Sequence, residues 1–311
     1  MDAYEKKTGG SVLAIPHNGN LSNGLMFPVI EAFGKKIDRE YVETRAKWER
    51  LYETTQTKGT GESHPYLSPN DEFADFELWD KGNLDGSVVK KKEMLEFELT
   101  RSALKNGLRL EQQLGTNPYK FGLIGSSDAH TGLAAMEEDN FFGKTAPQEP
   151  SPERLTNTFL SNPETGVKIM DWEVGASGCA AVWARENFDR IQVVKGWMDA
   201  KGELHEKVFD VAWSDNRKPD PKTGKLPPVG NTVDVLNATW ANSIGAPELI
   251  AVWKDPGFDP TQRAFYYARV IEIPTPRWTA YDAKRFGVKA LPGTRMTITE
   301  RAYTSPIWYT P

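Results

Sequence analysis

The stretch FGLIGSSDAHTG, residues 121–132, decides how the chain is read. Phe121 to Gly125 is apolar and short enough for a buried strand, and the small, polar residues after it end that strand in a tight loop. The loop carries Asp128 and His130 two positions apart. In extended backbone such residues share a side, so a carboxylate oxygen and an imidazole nitrogen can converge on one cation. An isolated Asp-x-His is also what a capping aspartate and a hydrogen-bonded loop histidine look like, and both readings stand at this point.

Two further histidines sit in similar places. GGSVLAIPHNGN, residues 9–20, reads as a strand over Val12 to Ile15, broken by Pro16 and opening into a Gly/Asn loop with His17. His64 lies between Ser63 and Pro65 in a long loop. Three of the four histidines therefore follow strand-like segments, and in α/β folds strand ends are where ligands and catalytic groups collect.

Around these loops the spacing predicts a helix from Arg39 to about Leu51, a strand over LYETTQTKG, and a helix from about Glu93 to Leu114 closed by Gly115. VGASGCAAVWARENF, residues 174–188, reads as a small-residue turn into a helix, with Cys179 buried. Beyond Asp189 the character changes to alternating runs, RIQVVKGWM, KVFDVAW, VDVLNATW, LIAVWKD and AFYYARVIEI, which predict a β-sandwich or a large sheet with its tryptophans in the core. The acids Asp71, Glu72, Asp75, Glu77 and Asp80 and the run Lys90–Lys92 read as solvated faces, with an acid/base pair among the acids as the alternative.

A net charge of −5 without a dominant basic cluster argues against a nucleic-acid partner. The single cysteine excludes a disulfide framework and a thiolate metal cluster, and the sequence holds no apolar run long enough for a transmembrane helix. No P-loop, nucleophile elbow or dinucleotide fingerprint is present.

The segments LAIPHNGNLSNGLMF, SPNDEFADFELWDKGNL, GLIGSSDAHTGL, EEDNFFGK, ASGCAAVWAREN, DRIQVVKGW and FYYARVIEIPTPRWTAYDA closely resemble the bacterial family called domain of unknown function 3604. That family looks like a branch of the polymerase-and-histidinol-phosphatase (PHP) superfamily of metal-dependent hydrolases. The resemblance implies an α/β fold, a distorted β/α barrel over residues 1–187, followed by a β-rich, sandwich-type region over 188–311. It implies His17, Asp128 and His130 as metal ligands for one to three divalent ions (zinc, manganese or iron) and Asp128 as catalytic; His64 lies in the family stretch GESHP and is taken from its loop as a further catalytic candidate, with a rigid structural loop as the alternative. Asn18, Asn20, Ser127 and His64 would contact substrate. It also implies two departures: a preceding His-x-His strand is not present, and a family stretch is omitted between Asn187 and Phe188.

The resulting expectation is a metal-dependent hydrolase, a phosphoesterase first, in which the ion generates hydroxide near neutral pH. Its partner would be a small ester or phosphoester, in a periplasmic or secreted setting suggested by exported family members. The alternatives are a hydrolase of other esters or carbamates, or a non-catalytic module binding a glycan or protein.

Overall fold

The computed structural model describes residues 1–181 and 184–311. After a short helix α1 (Asp2–Thr8), the chain forms a two-residue hairpin, β1 (Glu31–Ala32) and β2 (Lys35–Lys36). Helix α2 (Arg39–Trp48) starts where Asp38 accepts a hydrogen bond from the Tyr41 amide at 2.9 Å, an N-cap that satisfies a donor the helix leaves open. Strand β3 (Leu51–Gln56) turns at Gly59, φ 98°, into β4 (Gly59–Thr60). Helices α3 (Lys92–Leu95) and α4 (Thr100–Leu114) follow, and β5 (Gly122–Gly125) returns parallel to β3, with Leu51 opposite Gly122 and Thr55 opposite Gly125.

One continuous helix over Glu93–Leu114 is not formed. The break at Glu96–Leu99 has a physical cause: Glu98 is buried and takes Lys90 Nζ at 2.6 Å and the Gly24 amide at 2.9 Å, while the Phe97 carbonyl accepts from the Phe27 amide at 2.9 Å. These long-range partners draw the backbone out of helical geometry. Lys90 is accordingly buried rather than part of a solvated face. Within α4, Leu104 and Leu108 fall one turn apart on the inward face beside Ala103. Gly107 is required there, because a Cβ would lie 2.2 Å from Asn117 Oδ1.

The remaining strands are a hairpin of β6 (Thr158–Ser161) and β7 (Lys168–Met170), the long β8 (Phe188–Met198), β9 (Leu204–Trp213) and β10 (Ala264–Glu272), then β11 (Thr275–Pro276), β12 (Thr297–Ile298), β13 (Arg301–Tyr303) and β14 (Ile307–Tyr309). Helix α5 (Trp278–Phe286) lies between β11 and β12. The large sheet is antiparallel in the order β13-β10-β8-β9, with β14 also on β10. Val194 at its centre faces Tyr267 on one side and Val208 on the other.

This architecture corrects the barrel. A β/α barrel needs a closed ring of parallel strands, and among the described residues β3 and β5 are the one parallel pair, in a three-stranded sheet. The sandwich is corrected too. The β8–β10 sheet lies against α4, not against a second large sheet, and one apolar cluster runs from Phe27, Tyr52, Leu104 and Phe121 to Val194 and Phe265. The runs at 233–240 and 249–255 form no strands. Leu236, Ile250 and Val252 there are almost wholly exposed, so their alternation packs nothing. Of the tryptophans at 197, 213, 240, 253, 278 and 308 expected in a sandwich core, Trp278 alone is fully buried, and it belongs to α5. Val12–Ile15 runs extended without strand pairing, although Ala14 bonds the Trp48 carbonyl at 3.0 Å. Cys179 is exposed. The helix expected over 174–188 includes Val182 and Trp183, outside the described residues, and its described neighbours are not helical. No described helix is long and apolar enough to cross a membrane.

A buried ionic network ties the sheet to the rest of the chain. Arg269 reaches Glu62 Oε2 at 3.0 Å, Asp71 Oδ1 at 2.6 Å and Gln192 Oε1 at 2.7 Å, while Arg101 reaches Asp71 Oδ2 at 2.8 Å and the Tyr267 hydroxyl at 3.0 Å. Burial pushes the acids up, but the two guanidinium groups outweigh it and hold Glu62 and Asp71 below the ordinary carboxylate range. The other members of the acidic stretch are paired as well: Glu72 with Arg190, Asp75 with Arg295, Glu77 with Arg277 and Asp80 with His64.

Candidate functional site

Parallel pairing sends β3 and β5 out at the same edge, so the turn after β3 and the loop after β5 meet there. Ser126 continues the pairing through its amide to the Thr55 carbonyl at 3.0 Å, and its hydroxyl donates to Glu53 at 2.5 Å. Gly178 packs against this corner so closely that a Cβ would stand 2.6 Å from the Thr55 oxygen. The chain then turns at Asp128, whose φ of 52° is uncommon for a residue with a side chain and is best tolerated by Asp and Asn. The His130 amide fastens the loop to the Lys144 carbonyl at 2.7 Å.

The result is a cluster of four side chains. The Asp128 carboxylate accepts from both Lys58 and Lys144, and the Lys144 ammonium also donates to His130 Nε2 at 2.9 Å. His130 Nε2 stands 3.2 Å from Asp128 Oδ1. Lys58 and Lys144 are buried and Asp128 is nearly so, whereas the His130 side chain is 59% exposed and forms the solvent side of the cluster. Burial, reinforced by the neighbouring Lys144 charge, pulls Lys58 down to about 8 against the opposing bond to Asp128. Burial alone would raise Asp128, but the bonds from Lys144 and Lys58 keep it below the usual carboxylate range.

Asn18 and Asn20 support this cluster from behind. Asn18 Oδ1 accepts from Gln56 Nε2 at 2.6 Å, Gln56 Oε1 accepts from the Lys58 amide at 2.8 Å, and Asn20 Nδ2 donates to the Lys58 carbonyl at 3.0 Å. Both asparagines thus hold the Lys58 turn, and the Ser127 hydroxyl accepts from the Ala129 amide at 3.3 Å. His17, beside Asn18, is exposed. His64 is engaged elsewhere: Nδ1 accepts from the Tyr66 amide at 3.0 Å and Nε2 faces Asp80 at 3.4 Å.

Of the sequence candidates the fold therefore joins Asp128 and His130 directly, and Asn18 and Asn20 through the Lys58 turn. Lys58 and Lys144 were not among those candidates. Lys58 precedes the turn glycine of TKG at a strand end, which is a weak signal, and Lys144 in FFGKT carries none.

A divalent ion does not suit this donor set as arranged. Two ammonium groups occupy the carboxylate that would bind it, and one of them holds the imidazole nitrogen. Among the described residues no three His, Cys, Asp or Glu side chains are grouped to hold a metal. The arrangement instead offers one carboxylate against two ammonium groups, a locally cationic site with an accessible imidazole.

No curated protein and no solved structure matches the chain. A family model does match, over residues 1–188 and 185–311, two stretches that overlap at 185–188, around the Asn187–Phe188 junction where the resemblance implies an omission. The chain accordingly belongs to the family described as Protein of unknown function (DUF3604).

Proposed function

We propose that the chain is a hydrolase of small anionic esters, phosphoesters first, with Lys58, Asp128, His130 and Lys144 as its reacting centre. The single observation that carries this reading is the carboxylate shared by two buried ammonium groups beside a half-exposed imidazole at the ends of two parallel strands. Kinship with the polymerase-and-histidinol-phosphatase superfamily belongs to the same proposal and rests on the IPHN and SSDAH segments.

An ester anion docking here competes with Asp128 for Lys144 and Lys58 and draws Lys144 away from His130 Nε2. That nitrogen then takes the proton of a water as its oxygen bonds to phosphorus, while the P–O bond to the leaving group breaks. The ammonium groups stabilise the charge developing on the phosphoryl oxygens, and one donates its proton to the leaving oxygen and is reprotonated by the His130 imidazolium. Asp128 holds the two lysines in place before the substrate arrives.

The test is calorimetric titration of inorganic phosphate into the purified protein and into Lys144→Met. The proposal expects saturable binding that weakens by about tenfold or more in the variant, the loss of one charge-assisted contact. Equal binding by both proteins overturns the assignment. Stoichiometric zinc, manganese or iron in the isolated protein would replace it with metal-activated hydrolysis.

A further inference from the structure

The hairpin β1–β2 places Phe33 and Gly34 as its two turn residues, both at positive φ, 54° and 73°. Turns of this kind favour Asn, Asp and Gly, which adopt left-handed backbone readily, and a bulky aromatic there is strained. The Phe33 side chain gains no packing in return: it is 97% exposed. Ile30, just before the hairpin, is 74% exposed, and Leu25 is 73% exposed. Lys35 and Lys36 follow the tip and are both exposed, Lys35 pairing across the hairpin with the uncharged Ala32 and Lys36 with Glu31.

A strained, solvent-projecting aromatic with no internal partner points to contact outside the chain. We propose that this hairpin tip is a peripheral anchor for an anionic lipid surface. Phe33 and Ile30 would enter the headgroup boundary, and Lys35 and Lys36 would meet lipid phosphates. Two features favour a bilayer over a protein. A stable protein interface takes roughly 800 Å² from each partner, far more than a hairpin of this size presents. A bilayer needs only a few apolar side chains with basic neighbours, and the lysine stems can lie along the boundary with their charges in the headgroups. The two lysines against the single Glu31 give the tip the sign that anionic lipids attract. The anchor is independent of the hydrolase reading.

The test is co-sedimentation of the full chain with vesicles of phosphatidylcholine alone and of phosphatidylcholine mixed with phosphatidylglycerol, at low and high salt. Three proteins are compared: the unaltered chain, Phe33→Asn, and the double variant Lys35→Gln, Lys36→Gln. Asparagine suits the turn, so Phe33→Asn should keep or raise the Tm while weakening vesicle binding by about tenfold or more, as expected when one aromatic ring no longer leaves water. The double variant should lose the preference for anionic vesicles and its salt sensitivity. No sedimentation of the unaltered chain with the anionic vesicles overturns the proposal, as does equal binding by Phe33→Asn. A Phe33-dependent dimer without vesicle binding assigns the tip to a second copy of the chain instead.

Discussion

Glu62 and Asp128 are both carboxylates gripped by two cationic side chains, yet the two regions are built differently. Around Glu62 each guanidinium meets several acceptors, Tyr267 and Gln192 complete the set, and the principal side chains are sealed from water. Around Asp128 the cations are compact ammonium groups, the carboxylate is shared, and His130 opens the cluster to solvent. Arginine's planar fork suits saturated, permanent pairing, while lysine's single rotatable ammonium can exchange partners. Carboxylates and cations thus make a saturated, sealed cluster around Glu62 and an unsaturated, solvent-open one around Asp128, and saturation and access are what distinguish the cluster proposed to react.

The strongest way to break this comparison is at the buried network. Arg269→Ala should lower unfolding stability by about 3–5 kcal/mol, because it strands Glu62 and Asp71 without one of their cations. Urea denaturation measures this, and a loss below about 1 kcal/mol would mean that the network behaves like surface pairs. Asp128→Ala should show the converse pattern. Ester hydrolysis falls by about a hundredfold or more as the lysines lose their positioning carboxylate, while the chain stays folded by circular dichroism. Full activity in that variant would remove Asp128 from the centre.

A third contrast concerns acids that lack such partners. Burial raises Glu272 to about 8, helped by the neighbouring Glu186 and Glu300, and burial with Glu77 nearby raises Glu300 to about 7. Both stay protonated in the folded chain above 4.5, where the unfolded chain ionises them. The folded state therefore binds more protons between pH 4.5 and 8, and stability declines as pH rises through that window. Glu272→Gln should flatten the decline and add on the order of 1–2 kcal/mol at pH 8, a figure reduced for partial water access. A Tm profile unchanged by the substitution would contradict this. The smallest effect belongs to His64→Ala, which should leave hydrolysis within about twofold, since its partners are a loop amide and a half-exposed Asp80.

What the sequence made legible was local. The apolar run into SSDAH specified β5 and its loop, the apolar spacing of Leu104 and Leu108 specified most of α4, and alternation specified β8, β9 and β10. The family resemblance covered the chain but carried with it a barrel that the one parallel strand pair among the described residues cannot form. Pairings across the chain were not legible. Glu72, Glu77 and Asp71 look like a solvated acidic face until Arg190, Arg277 and Arg269 arrive from far along the sequence. Lys58 gave little sign of its role for the same reason: Asp128 lies 70 residues away, and only the β3–β5 pairing brings them together.

Whether the Asp128 cluster is a reacting centre is decided by measuring kcat/KM on a panel of chromogenic phosphoesters and carboxylic esters after exhaustive chelation. The unaltered chain is compared with His130→Gln, whose fold is confirmed by its Tm. Turnover should survive chelation and fall by about a hundredfold or more when the imidazole is replaced. Turnover that vanishes on chelation and returns with added metal, or that is indifferent to His130, would contradict the assignment.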